Sequence, residues 1–191
     1  MCTAATYKTR DFYFGRTLDH GCSYGEEITI TPRKYPFLFR EVGQLKYHYA
    51  MIGTAFIAQD YPLYYDAVNE KGLAIAGLNF TGNAYYGLPV QGRDNLAVYE
   101  LIPWLLGDCA TVKECQEKLK NVNLTNISIN DKLPVAQLHW IIADKEEAIT
   151  LEAVDDGMHI YPNPVGILTN NPAFPLQMFQ MNNYMHLSVR T

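Results

Sequence analysis

The chain has little of what would assign it to several large classes at once. Of its 191 residues only 18% are charged, and 15 Lys and Arg are outnumbered by 20 Asp and Glu, for a formal charge of −5. The basic stripe that neutralises a phosphate backbone is missing, so nucleic acid is not an expected partner. No run reaches the ~20 apolar residues of a membrane span, and the opening MCTAATYKTR lacks the apolar stretch of a signal peptide. A cytoplasmic protein without membrane contact is the expectation. The four cysteines (Cys2, Cys22, Cys109, Cys115) form no CxxC pair and no two of the five histidines have ligand spacing, so neither a metal site nor a disulfide framework is indicated. A Gly-rich phosphate loop is also lacking.

What is present is a large apolar fraction, 48%, with 13% aromatics. That composition excludes disorder and coiled coil, and the length suits one globular domain over residues 1–191. Thr3 to Leu18 reads as two strands joined by a tight turn. Ile28 and Ile30, then Phe37 and Phe39, then Tyr47, Tyr49 and Met51 alternate with polar neighbours and predict further strands. The turn Asn69-Glu70-Lys71-Gly72 leads into LAIAGLNF, a buried strand ending at Asn79. From Asn95, a cap, the apolar positions to Leu106 follow a helical period stopped by Gly107, with Pro103 weakening the helix. Thr111 and Glu114 have capping-box spacing ahead of a second helix, whose Val112, Cys115 and Leu119 share a face. A polar loop over 121–134 separates these helices from the hairpin QLHWIIAD/AITLEAV and the strand-turn-strand passage MHIYPNPVGILTNNP. FPLQMFQ can begin a helix. Strands, a helical pair and strands again make an α+β order.

The most informative position is Cys2. Removal of the initiator Met leaves a residue carrying both a thiol and a free α-amine, groups that ordinarily titrate near ~8.5 and ~7.7–8.0, so a proton passes between them at small cost. N-terminal nucleophiles use this chemistry. The alternative is that position 2 is merely small. A strand paired with the returning FGRTLD brings Arg16 and Asp19 toward the chain start, where a carboxylate can accept from the amine and a guanidinium favours thiolate. The bland reading of these two is a surface ion pair of little worth.

The start MCT, FGRTLD, YDAVNEKGLAIAGLNF, LHWIIAD and GILTNNPAF, in this order along the whole chain, closely resemble the choloylglycine hydrolase family, which contains bile salt hydrolases and penicillin V acylases. The resemblance implies an N-terminal-nucleophile hydrolase fold, a four-layer αββα sandwich, that cleaves linear amides without metal or organic cofactor. It implies catalytic roles for Cys2 as nucleophile, for Arg16 and Asp19 beside it, and for Asn79 and Asn170 at the oxyanion. Read without the resemblance, Asn79 is a strand terminus and Asn170 part of a turn before proline. In the family an Asn at the position of Asn79 resembles the bile salt hydrolases, so the resemblance implies glycine- or taurine-conjugated bile acids as substrate, with penicillin V or another N-acyl amide as the alternative. Leu18, Phe56, Ile57, Tyr65 and Ile129 are the expected walls of an apolar substrate pocket, together with neighbours in Tyr85–Leu88 and Ile127–Pro134. Tyr65 stands where bile salt hydrolases can have a small residue. Family members ordinarily continue beyond this point with further strands and an active-site arginine, so the sandwich is expected to lack its C-terminal part and to expose sheet edges and apolar faces. A homo-oligomer, a tetramer by family resemblance, is the expected assembly. An inactive member that only binds such ligands is the remaining alternative.

Overall fold

A computed structural model describes residues 1–187. The chain opens with a hairpin, β1 (Thr3–Lys8) and β2 (Phe12–Thr17), whose register pairs Thr3 with Thr17 and Lys8 with Phe12. After β3 (Glu27–Thr31) and the short hairpin β4 (Phe37–Phe39) and β5 (Gly43–Leu45) come three antiparallel strands, β6 (Met51–Ala58), β7 (Tyr61–Asn69) and β8 (Ala74–Asn79). Next are β9 (Asp94–Ala97), a 3₁₀ turn, α1 (Leu101–Asp108), α2 (Val112–Leu119) and β10 (Val122–Thr125). The chain then forms β11 (Leu138–Ala143), β12 (Ala148–Val154), β13 (Gly157–Pro162), β14 (Ile167–Thr169) and α3 (Phe174–Gln180).

Two sheets stack. The larger has seven antiparallel strands in the order β13-β12-β11-β8-β7-β6-β3, and the smaller has three in the order β14-β1-β2. Strand alternation gives the large sheet two different faces. Met51, Ala55, Tyr64, Ile75, Trp140, Ile142 and Leu151 point to one side and pack with Leu101, Leu105 and Leu106 of α1 and Leu119 of α2. Ala76, Leu78 and Ile141 point to the other side, where they meet Cys2, Ala4 and Leu168 of the small sheet and Phe174 of α3. The result is helices, large sheet and small sheet in layers. The far face of the small sheet shows Tyr7, Tyr13 and Ile167, and the uncovered end of the large sheet shows Ile28, Ile30, Ile52 and Val68, all exposed among the described residues.

Several sequence expectations shift. The first helix begins at Leu101 and not behind Asn95, because Asp94–Ala97 pairs in parallel with β10, a strand inside what reads as a polar loop. Asn95 instead accepts from the Val90 amide and donates to the Val90 carbonyl. Pro103 falls in the first helical turn, where no amide partner is lost, so it neither weakens nor kinks α1. Gly107 lies inside α1 and not past it; a Cβ there would stand 2.6 Å from Leu45 and 3.2 Å from His48, so glycine admits the β5 region against the helix. Tyr47 and Tyr49 are not in a strand: the chain detours so that the Tyr49 amide reaches the Gly107 carbonyl at 3.0 Å, and β6 starts only at Met51. Thr111 caps α2 as expected, accepting from the Glu114 amide at 3.2 Å, while the return arm of Glu114 goes to Ala110 at 2.6 Å. Asn69 ties the β7–β8 turn to the end of α1, accepting from Lys71 and Leu73 and donating to Leu106 and Cys109.

Candidate active site

Cys2 sits where the small sheet begins, one residue before β1, and its side chain is buried between the sheets beside Ala4. In the β1–β2 ladder Arg16 stands opposite Ala4, and period-two alternation puts it on the same inward face as Cys2. The guanidinium is buried, 7% exposed, which demands partners for its charge. It finds them in the Asp66 carboxylate at 3.5 Å, the Tyr65 carbonyl at 3.4 Å and the Thr17 carbonyl at 3.1 Å. Motif reading did not single out Asp66 as the partner of this buried cation. Its own signal was a lone carboxylate in an apolar and aromatic strand, YPLYYDAV.

The backbone explains why Asp66 and Tyr65 both face Arg16. Thr54 pairs with Asp66 but Ala55 pairs with Tyr64, so Tyr65 is an extra residue on β7, a bulge that re-aims its neighbours. Beside it Gly53 lets the strands approach closely: a Cβ would fall 2.0 Å from the Asp66 carbonyl oxygen and 2.6 Å from the Ala67 Cα. Oδ1 of Asp66 accepts from the Thr54 amide at 3.2 Å, leaving the other oxygen for Arg16.

Asp19 follows β2 and is half exposed. Its carboxylate accepts from the Thr17 hydroxyl at 3.1 Å and lies 3.6 Å from the ammonium of Met1. Asn79 closes β8; its side-chain oxygen accepts from the Thr81 hydroxyl at 2.8 Å, which turns the amide nitrogen away from that loop. Asn170 follows β14 and its Oδ1 is buried with no hydrogen-bond partner among the described residues.

These five residues, drawn from separate segments, line one cavity of about 610 Å³. Leu18, Phe56, Tyr65 and Ile129 line it as well, and the 127–134 segment contributes Ile127, Leu133 and Pro134. Ile57 does not: it is the next residue to Phe56 on β6, and alternation sends it to the opposite side, partly exposed. Tyr85 and Leu88 are also outside, both exposed to solvent, while Tyr86 packs against the helix-side core. His20 and Tyr24, which the sequence did not single out, stand at the wall, with the His20 ring 5.3 Å from Tyr24 and 5.5 Å from Tyr65. Burial pushes the phenols of Tyr64, Tyr65 and Tyr99 up from their ordinary value, so at neutral pH all three are uncharged walls. The cavity is therefore mostly apolar, and a buried thiol, a buried cation and two primary amides are among the groups that line it. That is a suitable arrangement for attack on a polar carbonyl carried by a large apolar group.

Among the described residues no His, Cys, Asp or Glu cluster could hold a metal ion, and no helix is long and apolar enough to cross a membrane.

Comparison with known proteins agrees with the geometry. Residues 2–191 match the family described as linear amide C–N hydrolases, choloylglycine hydrolase family. The whole chain is 52% identical to a bile salt hydrolase/transferase of Lactiplantibacillus plantarum, of which it spans 59%. It is 42% identical to a conjugated bile acid hydrolase of Lactobacillus gasseri over 98% of this chain and 60% of that one. Among solved structures, a mutant of the conjugated bile acid hydrolase of Clostridium perfringens superposes with a TM-score of 0.92 at 34% identity, covering 98% of this chain and 59% of that one. The penicillin V acylase of Agrobacterium tumefaciens shares the fold, with a TM-score of 0.79 at 20% identity, over 98% of this chain and 58% of that one. The chain thus spans about three fifths of the length of the curated relatives it matches. With its two stacked sheets, its helix layer and this match along its length, the chain belongs to the choloylglycine hydrolase family of linear amide C–N hydrolases.

Proposed function

We propose that this chain carries the nucleophile and oxyanion side of an enzyme that hydrolyses the amide bond of glycine- or taurine-conjugated bile acids. The observation that supports it best is the convergence of Cys2, Arg16, Asp19, Asn79 and Asn170 on one apolar cavity. Removal of Met1 exposes the α-amine of Cys2, with Asp19 already placed to accept from an ammonium at the chain start. The amine takes the thiol proton, and buried Arg16 stabilises the thiolate. The sulfur attacks the amide carbonyl; the oxygen becomes negative and the amides of Asn79 and Asn170 donate to it. The C–N bond then breaks, the α-ammonium protonates the leaving glycine or taurine nitrogen, and a thioester remains on Cys2. Water, deprotonated by the same amine, attacks the thioester; the C–S bond breaks, the bile acid leaves and the thiol is restored.

The relatives' names support the substrate class, and a cavity of about 610 Å³ lies within the usual range for steroid-sized ligands. The net charge of −5 gives a conjugated acid no long-range attraction, so burial of the steroid against Phe56, Leu18 and Ile129 supplies the affinity. The same reading takes residues 1–191 as one domain that acts in the cytoplasm and assembles as a homo-oligomer. Release of glycine or taurine from glycocholate and taurocholate, set beside penicillin V, tests the proposal. Hydrolysis of the bile salts that disappears in Cys2→Ala is expected; preference for penicillin V, or activity surviving that substitution, overturns it.

A further inference from the structure

One buried pair of polar side chains serves no step of this mechanism. His139 of β11 and Glu152 of β12 face each other on the small-sheet side of the large sheet, with side-chain exposures of 0% and 2%. Nδ1 of the histidine lies 2.9 Å from Oε1 of Glu152, and Nε2 lies 2.7 Å from the Thr169 carbonyl oxygen. The ring stacks on Phe80, 4.3 Å between centroids and 8° from parallel, which fixes its plane. Since a carbonyl oxygen can only accept, Nε2 carries a proton. Oε1 of Glu152 also accepts from the Phe174 amide at 2.8 Å, at the start of α3.

Leaving such a pair unmatched in a protein interior is costly, so its geometry is enforced by everything around it. Thr169 immediately precedes Asn170. The next carbonyl, that of Asn170 itself, accepts from Gln177 Nε2 at 2.8 Å, and Gln177 Oε1 accepts from the Thr169 amide at 3.2 Å. The peptide units on both sides of the Asn170 Cα are therefore clamped, one from the large sheet through His139 and one from α3 through Gln177. Asn170 has a buried, unpartnered Oδ1, so its side chain lacks a protein hydrogen bond to hold that atom in place.

We propose that the His139–Glu152 pair is a positioning device for Asn170: by holding the Thr169 carbonyl it aims the Asn170 amide at the oxygen of the substrate carbonyl. The proposal rests on the oxyanion role given to Asn170 above. Its test combines two measurements on the full chain. The Asn170 side-chain amide signal in ¹H–¹⁵N spectra, identified by its loss in Asn170→Ala, moves or broadens in His139→Leu and Glu152→Gln whether or not the protein turns over substrate. In glycocholate hydrolysis the same variants lose kcat by roughly tenfold to a hundredfold, less than full loss of an oxyanion donor, with KM and the rate of Cys2 alkylation within about twofold. His139→Gln, which keeps a donor toward Thr169, recovers part of the loss. If His139→Leu does not fold, Glu152→Gln decides, since it changes charge and not shape. An unmoved Asn170 signal, or an unchanged kcat in a folded variant, overturns the positioning role. A wild-type chain that hydrolyses no amide defeats the functional reading instead, and the amide signal still decides whether the pair holds Asn170.

Discussion

The two faces of the seven-stranded sheet come from the same strands and do different work. On β11, Trp140 and Ile142 enter the helix-side core while His139 and Ile141 face the small sheet; on β12, Leu151 goes one way and Thr150 and Glu152 the other. The helix side is broad and mainly apolar, closed over by Leu101, Leu105 and Leu106, with Asn69 and Glu100 buried and hydrogen-bonded at its margin and Tyr64, Ile102 and Trp140 reaching the cavity. The small-sheet side is narrow and carries a buried histidine, glutamate, threonine and asparagine, each with a hydrogen-bond partner. Apolar burial stabilises without direction, whereas hydrogen bonds fix orientation. The broad face therefore carries most of the apolar burial, and the hydrogen-bonded network of the narrow face fixes the segment around Asn170, while the cavity itself is lined from both.

Substitutions in the apolar core and at the cavity should fail in different ways. Leu105→Ala, on the helix side, should cost about 2–5 kcal/mol, read as a lower urea midpoint, while the molecules that remain folded keep their kcat. Asn79→Ala, at the site, should do the reverse: kcat for glycocholate falls by about a hundredfold to a thousandfold, with the urea midpoint nearly unchanged. A loss of activity in Leu105→Ala beyond its unfolded fraction would blur the division. Phe56 and Ile57 sharpen it at the scale of one residue. Phe56→Ala should raise KM roughly tenfold, as expected for an apolar group withdrawn from a substrate pocket, and Ile57→Ala should leave KM and kcat within about twofold.

The smallest effect lies far from the cavity. Arg33 and the Ala50 amide hold the Glu70 carboxyl down from 4.5 to about 2. Because the folded value is depressed, the contribution of the pair is complete above the unfolded value and is lost as pH falls from there toward about 2. The difference in melting temperature between the wild type and Glu70→Gln should be constant from neutrality down to pH ~5 and vanish near pH ~2. Both proteins should show the same kcat throughout.

Most of the sheet was legible because alternation survives in single strands: LHWIIA and AITLEAV pair as read, and the turn at Asn69 lies where its residues place it. What escaped reading was set by distant partners. The four-residue strands β9 and β10 are too short to show a period, and each is a strand only because the other lies beside it. Tyr47 and Tyr49 alternate properly yet leave the sheet to serve the end of α1. At the site, Cys2 could be singled out from its chemistry, with Arg16 and Asp19 from their place in the hairpin, whereas Asn79 and Asn170 were named only through the family resemblance of GLNF and LTNNP. Asp66 and Glu152 could not be named, since a lone carboxylate in an apolar strand gives no hint of which buried cation or imidazole it will meet.

In the proposed mechanism the sulfur and the amine of one leading residue act together on a carbonyl. Mass spectrometry of the N-terminal peptide after acid quenching during glycocholate turnover tests it most directly. The expected species is a peptide that begins at Cys2 and carries the cholyl group as a thioester. Turnover by a chain that retains Met1, with no acyl group on Cys2, would contradict it.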